Sequence, residues 1–218
     1  MKLWSIAVLL LVLGIQNATA ETVTVKILAA NGEPLANAAV LIDSPKTSLK
    51  GEKEAIVDQV DKQFTPTVSA IEPGTDVVFP NSDNIRHHVY SFSDAKSFEL
   101  KLYSDKERPS VNFDKEGIVT MGCNIHDQMI AYVVVSDKYD VTVTNEQGVA
   151  ELTIPEGETL KDVTVWHYWM GDKLSQAQKI TLARTSGRLT GQVQVSPPQK
   201  EKKELSRLEQ RFNRKGNQ

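Results

Sequence analysis

The sequence predicts an all-β protein built as sandwiches. Three observations lead there. Apolar and polar residues alternate with the two-residue period of half-buried strands, the alternating runs are rich in β-branched residues, and turn signals punctuate them. Runs of this kind fall at residues 23–27, 77–79, 119–121, 131–135 and 163–166. The turns are Asn31-Gly32, Pro73-Gly74, Glu116-Gly117, Gln147-Gly148 and Pro155-Glu156-Gly157. Long helical patterns are absent. Residues 94–107 are polar and mixed, which predicts a short helix or an irregular loop.

Composition narrows the function classes. With 218 residues, 40% apolar and 24% charged, the chain is neither collagen-like, wholly disordered nor a polytopic membrane protein. One Cys excludes an internal disulfide and any multi-cysteine zinc site. A net charge of −3 argues against nucleic acid as a partner.

The first twenty residues predict a signal peptide. Lys2 opens an apolar run over residues 3–15, and Ala18-Thr19-Ala20 offers small residues at a cleavage position, so the mature chain begins at Glu21. The apolar run is short for a spanning helix, which needs about 20 residues, so no spanning segment is expected after cleavage. The expected location is the periplasm of a Gram-negative bacterium. In that oxidising compartment a single free Cys is exposed to oxidation unless it is buried or bound to metal. Cys123 is therefore the most informative residue.

Four parts follow along the chain. Residues 1–20 are the signal peptide. Residues 21–53 and 137–196 share a style and resemble the two halves of a carboxypeptidase-regulatory-like or transthyretin-like β-sandwich, the smaller one. Neither half has enough strands to bury a core alone. A domain at 54–136 interrupts them; one irregular sandwich or two consecutive domains are the alternatives. Residues 197–218 form a charged tail after Pro197-Pro198, and its net charge of +4 over residues 199–218 suits an acidic partner or anionic lipid. Leu205, Leu208 and Phe212 would form an apolar stripe if the tail were helical.

The chemistry lies in Cys123-Asn124-Ile125-His126-Asp127-Gln128-Met129. A thiolate, an imidazole and a thioether occur within seven residues, and soft sulfur with borderline nitrogen suits copper in both oxidation states. Strands on either side, joined by a five-residue connection, would let all three converge. Taken singly, Cys123 would be a small buried hydrophobe, Met129 core filler and His126 a loop residue. A second His comes from Phe79-Pro80-Asn81-Ser82-Asp83-Asn84-Ile85-Arg86-His87-His88-Val89. Strand alternation puts His87 and His88 on opposite faces, so a regular strand turns only one of them inward. A cysteine-nucleophile enzyme is the rival reading. It lacks a Gly-rich oxyanion segment and an orienting acid, and the chain is read as no enzyme.

The pattern of Asn, five residues, His, one residue and Val, followed by Gly-x5-Cys-x2-His-x2-Met, resembles the cupredoxin (type 1 blue copper) family. The short Cys-to-Met loop is most similar to amicyanin; plastocyanins have a longer one. The resemblance covers about residues 54–136, includes Phe64-Thr65-Pro66 and the run 71–79, and extends to exported cupredoxin-like proteins labelled methylamine utilisation proteins. It implies a Greek-key β-sandwich and one type 1 copper ion. His87, Cys123 and His126 would be equatorial ligands and Met129 the weak axial one. Asn81 matches a residue that ties the two ligand loops together. Arg86 and Asp127 stand where the family often has Pro, which makes the docking edge around His126 more polar. His167, in Trp166-His167-Tyr168-Trp169, lies outside the motif and is read as part of the second core.

The implied function is one-electron transport to a redox partner protein, the electron leaving through His126. The alternative is copper storage, delivery or sensing without electron transfer. The chain lacks the Met-rich or His-rich tracts that often accompany copper handling.

Overall fold

The computed structural model describes residues 20–43, 54–104 and 107–198. The predicted signal peptide up to residue 19 and the basic tail from residue 199, with its apolar stripe, lie outside the described residues. Among the described residues no helix is long and apolar enough to cross a membrane.

The fold is all-β, as the alternation predicts. The strands run β1 (Ala20–Leu28), β2 (Ala39–Ile42), β3 (Glu54–Ile56), β4 (Asp58–Val60), β5 (Gln63–Thr65), β6 (Val68–Ile71), β7 (Thr75–Val78), β8 (His87–Phe92) and β9 (Ser97–Tyr103). They continue with β10 (Ser110–Phe113), β11 (Gly117–Cys123), β12 (His126–Val135), β13 (Asp140–Val143), β14 (Val149–Pro155) and β15 (Asp162–Trp166). A turn of 3-10 helix at Tyr168–Met170 and another at Leu174–Gln176 precede β16 (Gln178–Thr181), β17 (Ala183–Thr185) and β18 (Arg188–Gln192).

Two pairs of sheets enclose two cores. In the first pair, a five-stranded sheet in the order β6-β12-β11-β8-β9 faces a sheet in the order β10-β7-β3. Between them lie Val77, Phe79, Val89, Phe113, Val119, Met121 and Val133. In the second pair, β14-β1-β18-β17 faces β13-β2-β15-β16 around Val25, Ile27, Val40, Leu152, Val165 and Val193. Here β1 pairs antiparallel with β14 and parallel with β18, so residues near 25 meet residues near 150 and 189.

A third cluster joins the two pairs. Leu41 and Trp166 pack against Val68, Ile118 and Val134. This explains the unbroken apolar run Ala39-Val40-Leu41-Ile42, all four of them buried. A strand covered on both faces loses its alternation. The same holds for the end of β12, where Val133 and Val135 enter the first core and Val134 the third cluster.

Two expectations are corrected. Residues 97–103 are neither helix nor irregular loop but the strand β9. Phe98 and Leu100 alternate with Glu99 and Lys101, and the strand pairs with β8 on its open edge, so its inward face is only partly covered. The Cys-to-Met connection is also tighter than five residues. Strands β11 and β12 are joined by Asn124-Ile125 alone, and Cys123 pairs directly with His126.

Candidate metal centre

The loop before β8 sets the first histidine. Asn81 is buried at 2% exposure. Its Nδ2 donates to the carbonyls of Ile85 (2.8 Å) and Tyr103 (3.2 Å), and its Oδ1 accepts from the Asp83 backbone N–H (3.1 Å). These bonds fold residues 81–85 back on themselves and deliver His87 as the first residue of β8. The resemblance implies that Asn81 ties the two ligand loops together. Its three side-chain bonds instead go within its own loop and to the end of β9. The link to the cysteine loop is made by backbone: β8 pairs with β11 at Val89 and Cys123, and the Asn124 N–H donates to the His88 carbonyl at 3.3 Å.

His87 is fully buried and the His88 side chain, 16% exposed, lies on the opposite face, as alternation requires of neighbours on a strand. The His88 ring Nε2 lies 3.0 Å from a Glu99 carboxylate oxygen at the sheet surface. The His87 ring points its Nδ1 at the Cys123 Sγ, 3.6 Å away. Across the tight β11–β12 turn the His126 Nδ1 lies 4.0 Å from the same sulfur. The two imidazole rings are 5.2 Å apart at their centroids. Ligand atoms of His87, Cys123 and His126 all lie within 4.8 Å of one another, the first two residues buried and His126 half-buried. Met129 is fully buried three residues on, in the same apolar cluster as Cys123.

Alternation and motif do not reveal Asp83. Its Oδ2 lies 2.7 Å from the His87 Nε2 and accepts from the Lys62 N–H at 3.0 Å, while its Oδ1 accepts from the Asp61 N–H at 2.7 Å. Partial burial works to raise the Asp83 carboxyl, but the bonds from Lys62, His87 and Asp61 outweigh it and hold the carboxyl below its ordinary value. The one signal in the sequence is an acid four residues before His87.

Beneath this loop, Tyr103 donates to the Phe79 carbonyl (2.9 Å) and accepts from the Gln59 side chain. Burial pushes the Tyr103 hydroxyl up to about 12. Gly122 makes room on the outer face of the sheet: a Cβ there would stand 3.1 Å from the Tyr90 hydroxyl. Asp127 and Gln128, which follow His126, are exposed, as is Arg86 before His87, and Ile125 is 49% exposed. His167 is buried in the second half of the chain; its Nδ1 accepts from the Trp169 N–H at 3.2 Å.

The donor set fits copper. A buried thiol and two ring nitrogens aimed at it are soft and borderline donors, unlike the oxygen shells that hard cations need.

No family model and no curated protein matches the chain. Several solved structures resemble part of it. A Cu-containing nitrite reductase from Thermus scotoductus is 26% identical over 38% of this chain and 22% of that one, with a TM-score of 0.37. A novel purple cupredoxin from Nitrosopumilus maritimus is 22% identical over 38% of this chain and 99% of its own, at 0.34. A reduced amicyanin mutant is 21% identical over 46% and 99%, at 0.35. The chain thus spans about a fifth of the nitrite reductase and nearly the whole of the two cupredoxins. The methylamine-utilisation label rests on the sequence motif alone.

Proposed function

We propose that this chain is an exported copper protein that carries single electrons and is not an enzyme, with one type 1 copper ion held by His87, Cys123, His126 and Met129. One observation carries the reading: the sole thiol and one ring nitrogen from each of two imidazoles, on strands β8, β11 and β12, lie within 4.8 Å of one another. Bound copper supplies a Cu(I)/Cu(II) couple.

The protein's part is to hold the donors and to exclude water. Cys123 and His87 are buried, so the thiolate is shielded from oxidants on most sides. Strand pairing fixes Cys123 against both Val89 and His126, which leaves the donor atoms little room to move between oxidation states. His126 reaches the half-exposed edge and is the exit for the electron toward a partner protein. Met129 offers a thioether from inside the core.

The reading includes a division of the chain: a copper-bearing module at 54–136 set into a smaller sandwich made of 21–53 and 137–196. The separate membership of the two main cores supports that division. It also includes a periplasmic location.

Loading with Cu(II) tests the function. The protein should turn intensely blue with a narrow hyperfine splitting in its spin resonance, and Cys123→Ser should abolish the band. A colourless copper complex, or a variant that keeps its colour, would sink the reading.

A further inference from the structure

A neutral imidazole carries one proton on either of two nitrogens, and which nitrogen is bare decides which can bind a metal. In this site the choice is made by a side chain outside the donor set. We propose that Asp83 is the positioning residue of the centre: its carboxylate accepts a hydrogen bond from the Nε2–H of His87, turns the bare Nδ1 toward Cys123, and is itself held by the β4–β5 turn.

The Asp83 Oδ2 is 2.7 Å from the His87 Nε2, and the two side chains are 12% and 0% exposed. An ionised carboxylate only accepts, so Nε2 must hold the hydrogen. Nδ1 is then the free lone pair, facing the sulfur at 3.6 Å. The carboxylate cannot swing away. The N–H groups of Asp61 and Lys62 converge on its two oxygens at 2.7 and 3.0 Å. Those residues sit at φ 52° and 59°, the left-handed pair of a tight hairpin turn, which aims successive N–H groups in one direction. The hairpin is moored in turn: Asp58 accepts from the Ser82 hydroxyl at 2.7 Å, and the Ser82 N–H donates to the Gln59 carbonyl at 3.0 Å. A turn more than twenty residues away in sequence thus sets the tautomer and orientation of a buried donor.

The carboxylate also adds negative charge behind the ring. A histidine hydrogen-bonded in this way is a stronger donor, and the charge favours the more positive ion of a redox pair. This consequence rests on the copper reading; the tautomer does not.

Two measurements test the proposal. In the metal-free wild-type protein in mildly alkaline buffer, nitrogen NMR should find the His87 proton on Nε2 and Nδ1 bare. A proton on Nδ1 would overturn the assignment, whatever happens with variants. In the second, Asp83→Asn should weaken Cu(II) binding by about 10–100-fold. Cu(I) binding should fall less, and each tenfold of that difference raises the potential by about 59 mV. Equal loss for both ions would reduce Asp83 to a structural prop and reject the proposal. Wild-type protein with the expected tautomer but no affinity for copper would defeat the copper reading and leave the positioning role of Asp83 standing.

Discussion

The ring of Tyr132 lies flat on that of Tyr168, with centroids 5.1 Å apart and planes inclined by 6°. Tyr132 belongs to β12, the strand that begins at His126, and Tyr168 opens the 3-10 turn after β15. Trp166 meets Tyr132 edge-on at 5.7 Å. Such pairs contribute about 0.5–1.5 kcal/mol beyond the area they bury. A double-mutant cycle with Tyr132→Ala and Tyr168→Ala, read by denaturant unfolding, should return a coupling of that size. Copper absorbance should be unchanged in all variants. A coupling of zero would mean that the stack holds nothing together.

The two histidines of the candidate centre should differ in what they do for the metal-free fold. His87→Ala empties a fully buried site and leaves the Asp83 carboxylate without its ring partner. Losing a hydrogen bond to a charged group and leaving a cavity in this way costs about 2–3 kcal/mol. His126 is half-buried, and its replacement by Ala should cost under about 1 kcal/mol in a site open to solvent. Thermal or chemical unfolding of the metal-free variants checks the order, and the reverse order would contradict the burial.

His167 gives the fold a pH dependence of its own. Burial pulls its pKa down from 6.5 to about 4, against a bond to the Ala36 carbonyl that works the other way. The unfolded chain therefore takes up a proton between those values while the folded one does not. The contribution is complete above pH 6.5 and is lost as pH falls to about 4. It amounts to about 3 kcal/mol. Replacing His167 with Gln should flatten that part of the stability profile in urea titrations at stepped pH; an unchanged slope would assign the loss to other groups.

His88→Ala should leave the copper spectrum as it is. Its ring lies on the face of the sheet away from Cys123, 16% exposed, beside Glu99, whose side chain is 57% exposed, so the pair contributes at most about 1 kcal/mol. If His88→Ala removes the colour and His87→Ala spares it, the donor assignment is wrong.

The strands were legible because Val23-Thr24-Val25-Lys26-Ile27 and its counterparts alternate, and alternation survives wherever one face meets water. The same rule put His87 and His88 on opposite faces, and the motif, not the alternation, chose His87 as the inward one. Strand β9 carried the signal too, in Phe98, Leu100 and Leu102, but its polar partners and weak burial masked it. The tight Asn124-Ile125 turn was not legible, since spacing within a seven-residue motif does not say where pairing resumes. Asp83 was the harder case. It acts from a loop, where no period applies, and its anchors at Asp61 and Lys62 are remote in sequence.

Because Val134 and Ile118 pack beneath Leu41 and Trp166, the sheet that carries Cys123 and His126 has a roof supplied by other parts of the chain. Cutting out residues 54–136 would strip that roof and wet an oily surface. The portion that holds the candidate centre is in this sense a tenant of its neighbour, and an isolated fragment would have to find a substitute cover or clump.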